Sequence, residues 1–78
     1  GSYIVLSTGA GTPTRAEFTR RSHAASWARH IREHWTDTGA CSVQILDVEA
    51  GRVLAAWTRD GDKWTDATRW TSPPGVEK

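Results

Sequence analysis

The sequence predicts a small α+β domain, an antiparallel sheet of four to five strands with one helix packed on one face, in the order ββαβββ. Three observations predict it. A single stretch, His23 to Trp35, repeats its apolar residues with the period of a helix. Two β-rich runs on its C-terminal side are joined by a short glycine-containing turn. Finally, 78 residues leave room for one core only.

Taken in order, Tyr3 to Thr8 (YIVLST) is β-branched and apolar, and the Gly9-Ala-Gly-Thr-Pro13 turn cluster closes it as a strand. Thr14-Arg-Ala-Glu17 has the form of a capping box. A helix through Phe18 would need an apolar residue at 21 or 22, however, where Arg21 and Ser22 stand. Arg15 to Thr19 is therefore read as a short second strand, with the helix starting at an N-cap on Ser22. Within the helix, Ala24, Trp27, Ala28, Ile31 and Trp35 share one stripe, opposite Ser26, Arg29, Arg32 and Glu33, and Gly39 is the stop.

Cys41 to Val48 and Arg52 to Arg59 read as strands joined by Glu49-Ala-Gly51, with Gly51 at the left-handed position of a three-residue hairpin. Asp60-Gly61 marks a second hairpin into Asp62 to Thr65. Those turns set a register of Val43 with Trp57, Ile45 with Ala55 and Trp57 with Trp64. The face that meets the helix would then carry Val43, Ile45, Val53, Ala55, Trp57 and Trp64. The reverse face would carry Leu46, Val48, Leu54 and Ala56 as an apolar patch that only the N-terminal hairpin remains to cover. Gly1-Ser2 reads as a cloning remnant, residues 3–70 as one domain, and residues 71–78 as a disordered tail.

Five tryptophans supply the bulk such a small core needs, since each buried ring removes roughly 150–250 Å² from water. Trp35, Trp57, Trp64 and Trp70 each precede a threonine, but at uneven spacing, so we read strand composition and not a repeat. A chain of this size has a marginal core without a disulfide, metal or partner, which makes self-association one option. The lone Cys41 permits no internal disulfide and fits a reducing, cytoplasmic setting. No apolar run approaches the roughly 20 residues of a membrane span. The net charge of +1 is far from that of a dedicated nucleic-acid binder, although Arg15 to Glu33 is locally basic and Asp47 to Asp66 locally acidic.

Candidate chemistry is sparse. His30-Ile-Arg-Glu-His34 fits the H-x-x-E-H pattern of inverted zinc proteases, in which two imidazoles one helical turn apart bind Zn²⁺ beside a glutamate base. No helix remains to supply a third ligand, so the match is read as coincidence, with no metal or other cofactor. His23, His30 and His34 line one edge of the helix, which reads as imidazole at a half-buried boundary, with a pH-sensitive interface as the alternative. Asp60-Gly-Asp62 lacks the glycine and closing glutamate placement of a calcium loop and is read as a turn. Cys41 is taken as an incidental thiol, and Ser22-His23 lacks a third catalytic partner.

His34-Trp-Thr-Asp37 after an amphipathic helix resembles the helix end of the MbtH-like proteins. Phe18-Thr19 followed by Ala24, Ala25 and Ala28 is similar to the strand-to-helix junction of AP2-like and integrase arm-type DNA-binding domains. Each resemblance covers a handful of residues, and neither assigns a family. The residues therefore predict a non-enzymatic protein-interaction module that binds a protein partner or itself through Leu46, Val48, Leu54 and Ala56, and a composition rich in Arg, Ala, Gly and Trp with two lysines fits, as background, the small domains that travel on phages or plasmids. Leu54→Asp is then expected to abolish association and leave the monomer folded. The alternative is a nucleic-acid-binding accessory protein acting through Arg20, Arg21, Arg29 and Arg32.

Overall fold

The computed structural model describes residues 1–9 and 14–73, so most of the Gly9 to Pro13 turn cluster and the last part of the expected tail, 74–78, lie outside the described residues. Five strands, β1 (Tyr3–Gly9), β2 (Thr14–Phe18), β3 (Ala40–Asp47), β4 (Arg52–Asp60) and β5 (Lys63–Asp66), form one antiparallel sheet in the order β2-β1-β3-β4-β5. The main helix, α1 (Arg21–Glu33), packs on one face, which gives the expected α+β fold in the order ββαβββ. A one-turn helix, α2 (Trp35–Thr38), precedes β3, and a 3-10 turn (Thr68–Trp70) follows β5.

The helix is placed by its smallest apolar residues. Ala24 and Ala28 are fully buried and let α1 lie close on Val5, Val43 and Ile45, with Ile31 completing the contact. That burial sets the helix phase. Ser22 lies inside the first turn and not at the cap, which falls on Arg20 without a side-chain hydrogen bond. An N-cap is worth about 1 kcal/mol, less than burying Ile31 and two alanines together. The helix also ends earlier than its stripe suggests. His34 leaves helical geometry at φ −111°, and α2 then runs to Gly39, which adopts the left-handed conformation at φ 74° and donates its N–H to the Trp35 carbonyl at 2.7 Å.

None of the five tryptophans is fully buried. Trp35, Trp57 and Trp64 are half-buried around the core, while Trp27 is 40% and Trp70 78% exposed. Aliphatic residues and alanine fill the centre, and arginines cap the rings. The Arg32 guanidinium lies 3.8 Å over Trp57 and that of Arg59 3.8 Å over Trp35. Arg59 also donates from Nε to the Ala40 carbonyl at 2.7 Å, tying β4 to the start of β3.

Register departs from expectation at both hairpins. Val43 pairs with Trp57 and Ile45 with Ala55, as the turn chemistry predicts, but Leu46 then pairs with Val53 and Asp47 with Arg52. Asp47 causes the shift. Its carbonyl accepts the Gly51 N–H at 2.8 Å and its carboxylate the Ala50 N–H at 3.1 Å, making a four-residue turn. Leu54 becomes the extra residue of a bulge and packs against the core, so the expected faces of Val53 and Leu54 are exchanged. In the second hairpin Arg59, not Trp57, faces Trp64, and Trp57 faces Asp66. A slip of two residues preserves the face, so Trp64 still reaches the helix and donates Nε1–H to the Arg32 carbonyl at 3.1 Å.

The reverse face is not covered by the N-terminal hairpin, which extends the sheet beyond β3 instead. The 3-10 turn that follows β5 lies against β4. Ala67 donates its N–H to the Ala56 carbonyl at 2.8 Å and the Thr68 hydroxyl accepts the Ala56 N–H at 3.0 Å, which carries the β4–β5 pairing past Asp66, and Pro73 lines a shallow depression with Ile4 and Leu46. The described part of the expected tail, Thr71 to Pro73, thus belongs to the packed structure, and the Thr71 hydroxyl donates to the Ala67 carbonyl at 2.8 Å.

Candidate interaction surface

The four residues expected to form a partner patch do not share an exposed surface. Ala56 is 2% and Leu46 9% exposed, and Leu54 packs against the helix-side core. Val48 remains exposed, beside a shallow depression lined also by Ile4, Leu46, Arg52 and Pro73. The arginine set divides as well. Arg32 is held over Trp57 with its Nε donating to the Ala28 carbonyl at 3.3 Å, and burial, with Arg29 nearby, pulls its pKa below the usual arginine value while Glu33 opposes. Arg20, Arg21 and Arg29 are exposed and, among the described residues, make no ion pair, including the Arg29 to Glu33 pair that their spacing allows.

An apolar groove lies instead along β2. Because α1 sits more over β1 and β3 than over β2, a groove of about 200 Å³ is left between strand and helix. Its floor is Ala16, Thr14, Ser7 and Ile31, and its wall is Trp27, His30 and His34. The wall is a stack: Trp27 and His30 ring centroids are 5.2 Å apart and nearly parallel, and His30 and His34 centroids are 4.3 Å apart. Helical spacing of three and four places these rings on one edge. The histidine part of that edge is legible in the sequence, whereas Trp27 reads as core until the lateral position of α1 is known. Beyond Trp27, Phe18 and His23 continue the groove.

Among the described residues no three His, Cys, Asp or Glu side chains are grouped to hold an ion, and the charged neighbour of His34 is Asp37, 3.9 Å from Nδ1. Cys41 is an exposed free thiol whose Sγ is 3.5 Å from an Arg59 nitrogen. No helix among the described residues is long and apolar enough to cross a membrane.

The backbone of β2 adds a second feature. Val48 donates its N–H to the Ser2 carbonyl at 3.0 Å, so the even-numbered residues of β1 point their backbone groups at β3 and the odd-numbered ones at β2. Tyr3, Val5 and Ser7 therefore bond Phe18, Ala16 and Thr14, and the N–H and C=O groups of Arg15 and Glu17 point away from the sheet. These two residues carry the open edge. Their side chains lie on the reverse face, 2.6 Å apart as an exposed ion pair. Comparison with known proteins finds no match to a family model, to a curated protein or to a solved structure.

Proposed function

We propose that this chain is a non-enzymatic protein-interaction module that docks an extended segment against the outer edge of β2. The observation that carries this reading is the juxtaposition of outward-facing backbone groups at Arg15 and Glu17, without partners among the described residues, with an apolar groove walled by Trp27 and His30. Backbone pairing supplies affinity in this mode, and the groove takes alternate side chains for specificity. An exposed free Cys41 supports action in a reducing cytoplasm.

The test is selection of nine-residue extended peptides, displayed on phage, against the wild-type protein and against Glu17→Pro. Proline at 17 removes an outward N–H and no bond within the sheet, so the variant stays folded. Peptides enriched on wild type and lost on Glu17→Pro support the reading, and equal enrichment on both refutes it.

A second reading, nucleic-acid binding, is favoured by exposed Arg20, Arg21 and Arg29, which make no ion pair among the described residues, and by exposed Trp27. Arg32 drops out of that set because Trp57 occupies it. Titration with random duplex and single-stranded DNA decides it. Binding that weakens steeply with salt supports phosphate contacts, and no binding at low salt ends the reading.

A further inference from the structure

We infer that the segment docked on β2 is β2 of a second copy, forming a two-fold dimer with a continuous ten-stranded sheet centred on Ala16; this rests on the edge-docking reading above. Residues directly opposite in antiparallel strands share a face. A two-fold axis normal to the sheet therefore pairs β2 residues of equal parity, and centring it on Ala16 sets Arg15 of each copy opposite Glu17 of the other. Opposite charges meet twice on the reverse face, and cross-strand pairs of opposite charge stabilise a sheet.

The hydrogen-bond phase agrees with the charge pattern. Arg15 and Glu17 are the residues whose backbone groups face outward, so the same centring gives four N–H to C=O bonds between the copies. Ala16 then faces its own copy in a non-hydrogen-bonded pair, where the strands approach most closely and a small side chain suits. On the helix side, the two half-covered β2 strips become one floor between two α1 helices. Trp27 and His30 of each copy stand over it, and Phe18 lies opposite Thr14 of the other copy. This accounts for a 40% exposed tryptophan on a domain whose own core is small.

The other open edge lacks this complementarity. Centring a two-fold axis on Trp64 of β5 sets Asp62 against Asp66, and centring it on Thr65 sets Lys63 against Ala67. Like charges or an unpaired ammonium result, which disfavours self-pairing there.

Sedimentation velocity from about 5 to 500 µM tests the inference on four samples: wild type, Arg15→Glu, Glu17→Arg, and an equimolar mixture of the two variants. Arg15→Glu leaves two carboxylates on the edge and Glu17→Arg two guanidiniums, so each variant repels its own copy and complements the other. We expect a wild-type dimer, at least about tenfold weaker association for each variant alone, and a mixed dimer restored to wild-type strength. Near-ultraviolet circular dichroism of the tryptophans should be unchanged in both variants, because the substituted side chains are exposed. A wild type monomeric at 500 µM overturns the inference. So does a variant that dimerises like wild type, or a mixture that fails to recover. If the monomeric wild type still selects peptides sensitive to Glu17→Pro, edge docking stands and only the identity of its occupant fails.

Discussion

Replacing Gly9 with alanine tests the closest backbone approach in the fold. A Cβ at Gly9 would lie 2.2 Å from the Gly39 carbonyl oxygen and 2.8 Å from both the Gly39 carbonyl carbon and the Ala40 Cα. All three are backbone atoms, held by the left-handed turn at Gly39 and by pairing of Gly9 with Ala40 just past a register shift in β1. No side-chain rotation relieves such a contact, so β1 or the α2 to β3 connection must move. Overpacking of this kind costs about 3 kcal/mol. For a domain of this length each kcal/mol lowers Tm by roughly 4–8 °C, so we expect a fall of roughly 12–24 °C. The control is Gly51→Ala, where φ is 66° and nothing lies within 4 Å of the added carbon. It incurs only left-handed backbone strain, about 1–2 kcal/mol. Thermal unfolding followed by tryptophan fluorescence at micromolar concentration, where association contributes little, measures both. A Gly9→Ala variant no less stable than Gly51→Ala would show that the strand end yields freely and would refute the argument.

Leu54→Asp should unfold the monomer, because Leu54 packs against the core, whereas Val48→Asp, at an exposed position, should leave far-ultraviolet circular dichroism unchanged. Trp64→Phe keeps most of the ring burial but leaves the Arg32 carbonyl without its indole donor, a loss of about 1 kcal/mol by urea denaturation. The Thr68 hydroxyl and then its amide hold the Asp66 carboxyl below its usual pKa. A depressed carboxyl contributes its stability in full above the ordinary aspartate value of about 4 and loses it as pH falls through the folded value. The protection factor of the Thr68 amide against hydrogen exchange should therefore fall in acid, and Asp66→Asn should abolish that fall.

Fold order and the helix stripe were legible in the sequence because they depend on local periodicity. Ala24, Ala28 and Ile31 repeat every three to four residues, and the pairings of Val43 with Trp57 and Ile45 with Ala55 follow from where the chain can turn. The bulge at Leu54 was not legible. It follows from two hydrogen bonds to Asp47 that shorten the paired strand, and no alternation pattern encodes them. Nor was the two-residue slip at Gly61, which leaves every side chain on its expected face and so leaves no mark on the hydrophobic pattern.

For the candidate site the division is similar. The charged and aromatic residues of α1 can be sorted onto faces from spacing alone, and the histidine edge at His30 and His34 was found that way. Which side of the stripe is buried depends on sheet order. The pairing of β1 with β3 puts β2 at the edge and leaves Trp27 in the open, and Leu46 and Ala56 are buried in the folded chain, out of reach of a partner. By itself the sequence determined the element types, the order ββαβββ and the face of α1 that is apolar, since these rest on neighbours within a turn or a hairpin. The tertiary structure alone decided which of those faces stays bare, because burial is settled by contacts between residues far apart in the chain.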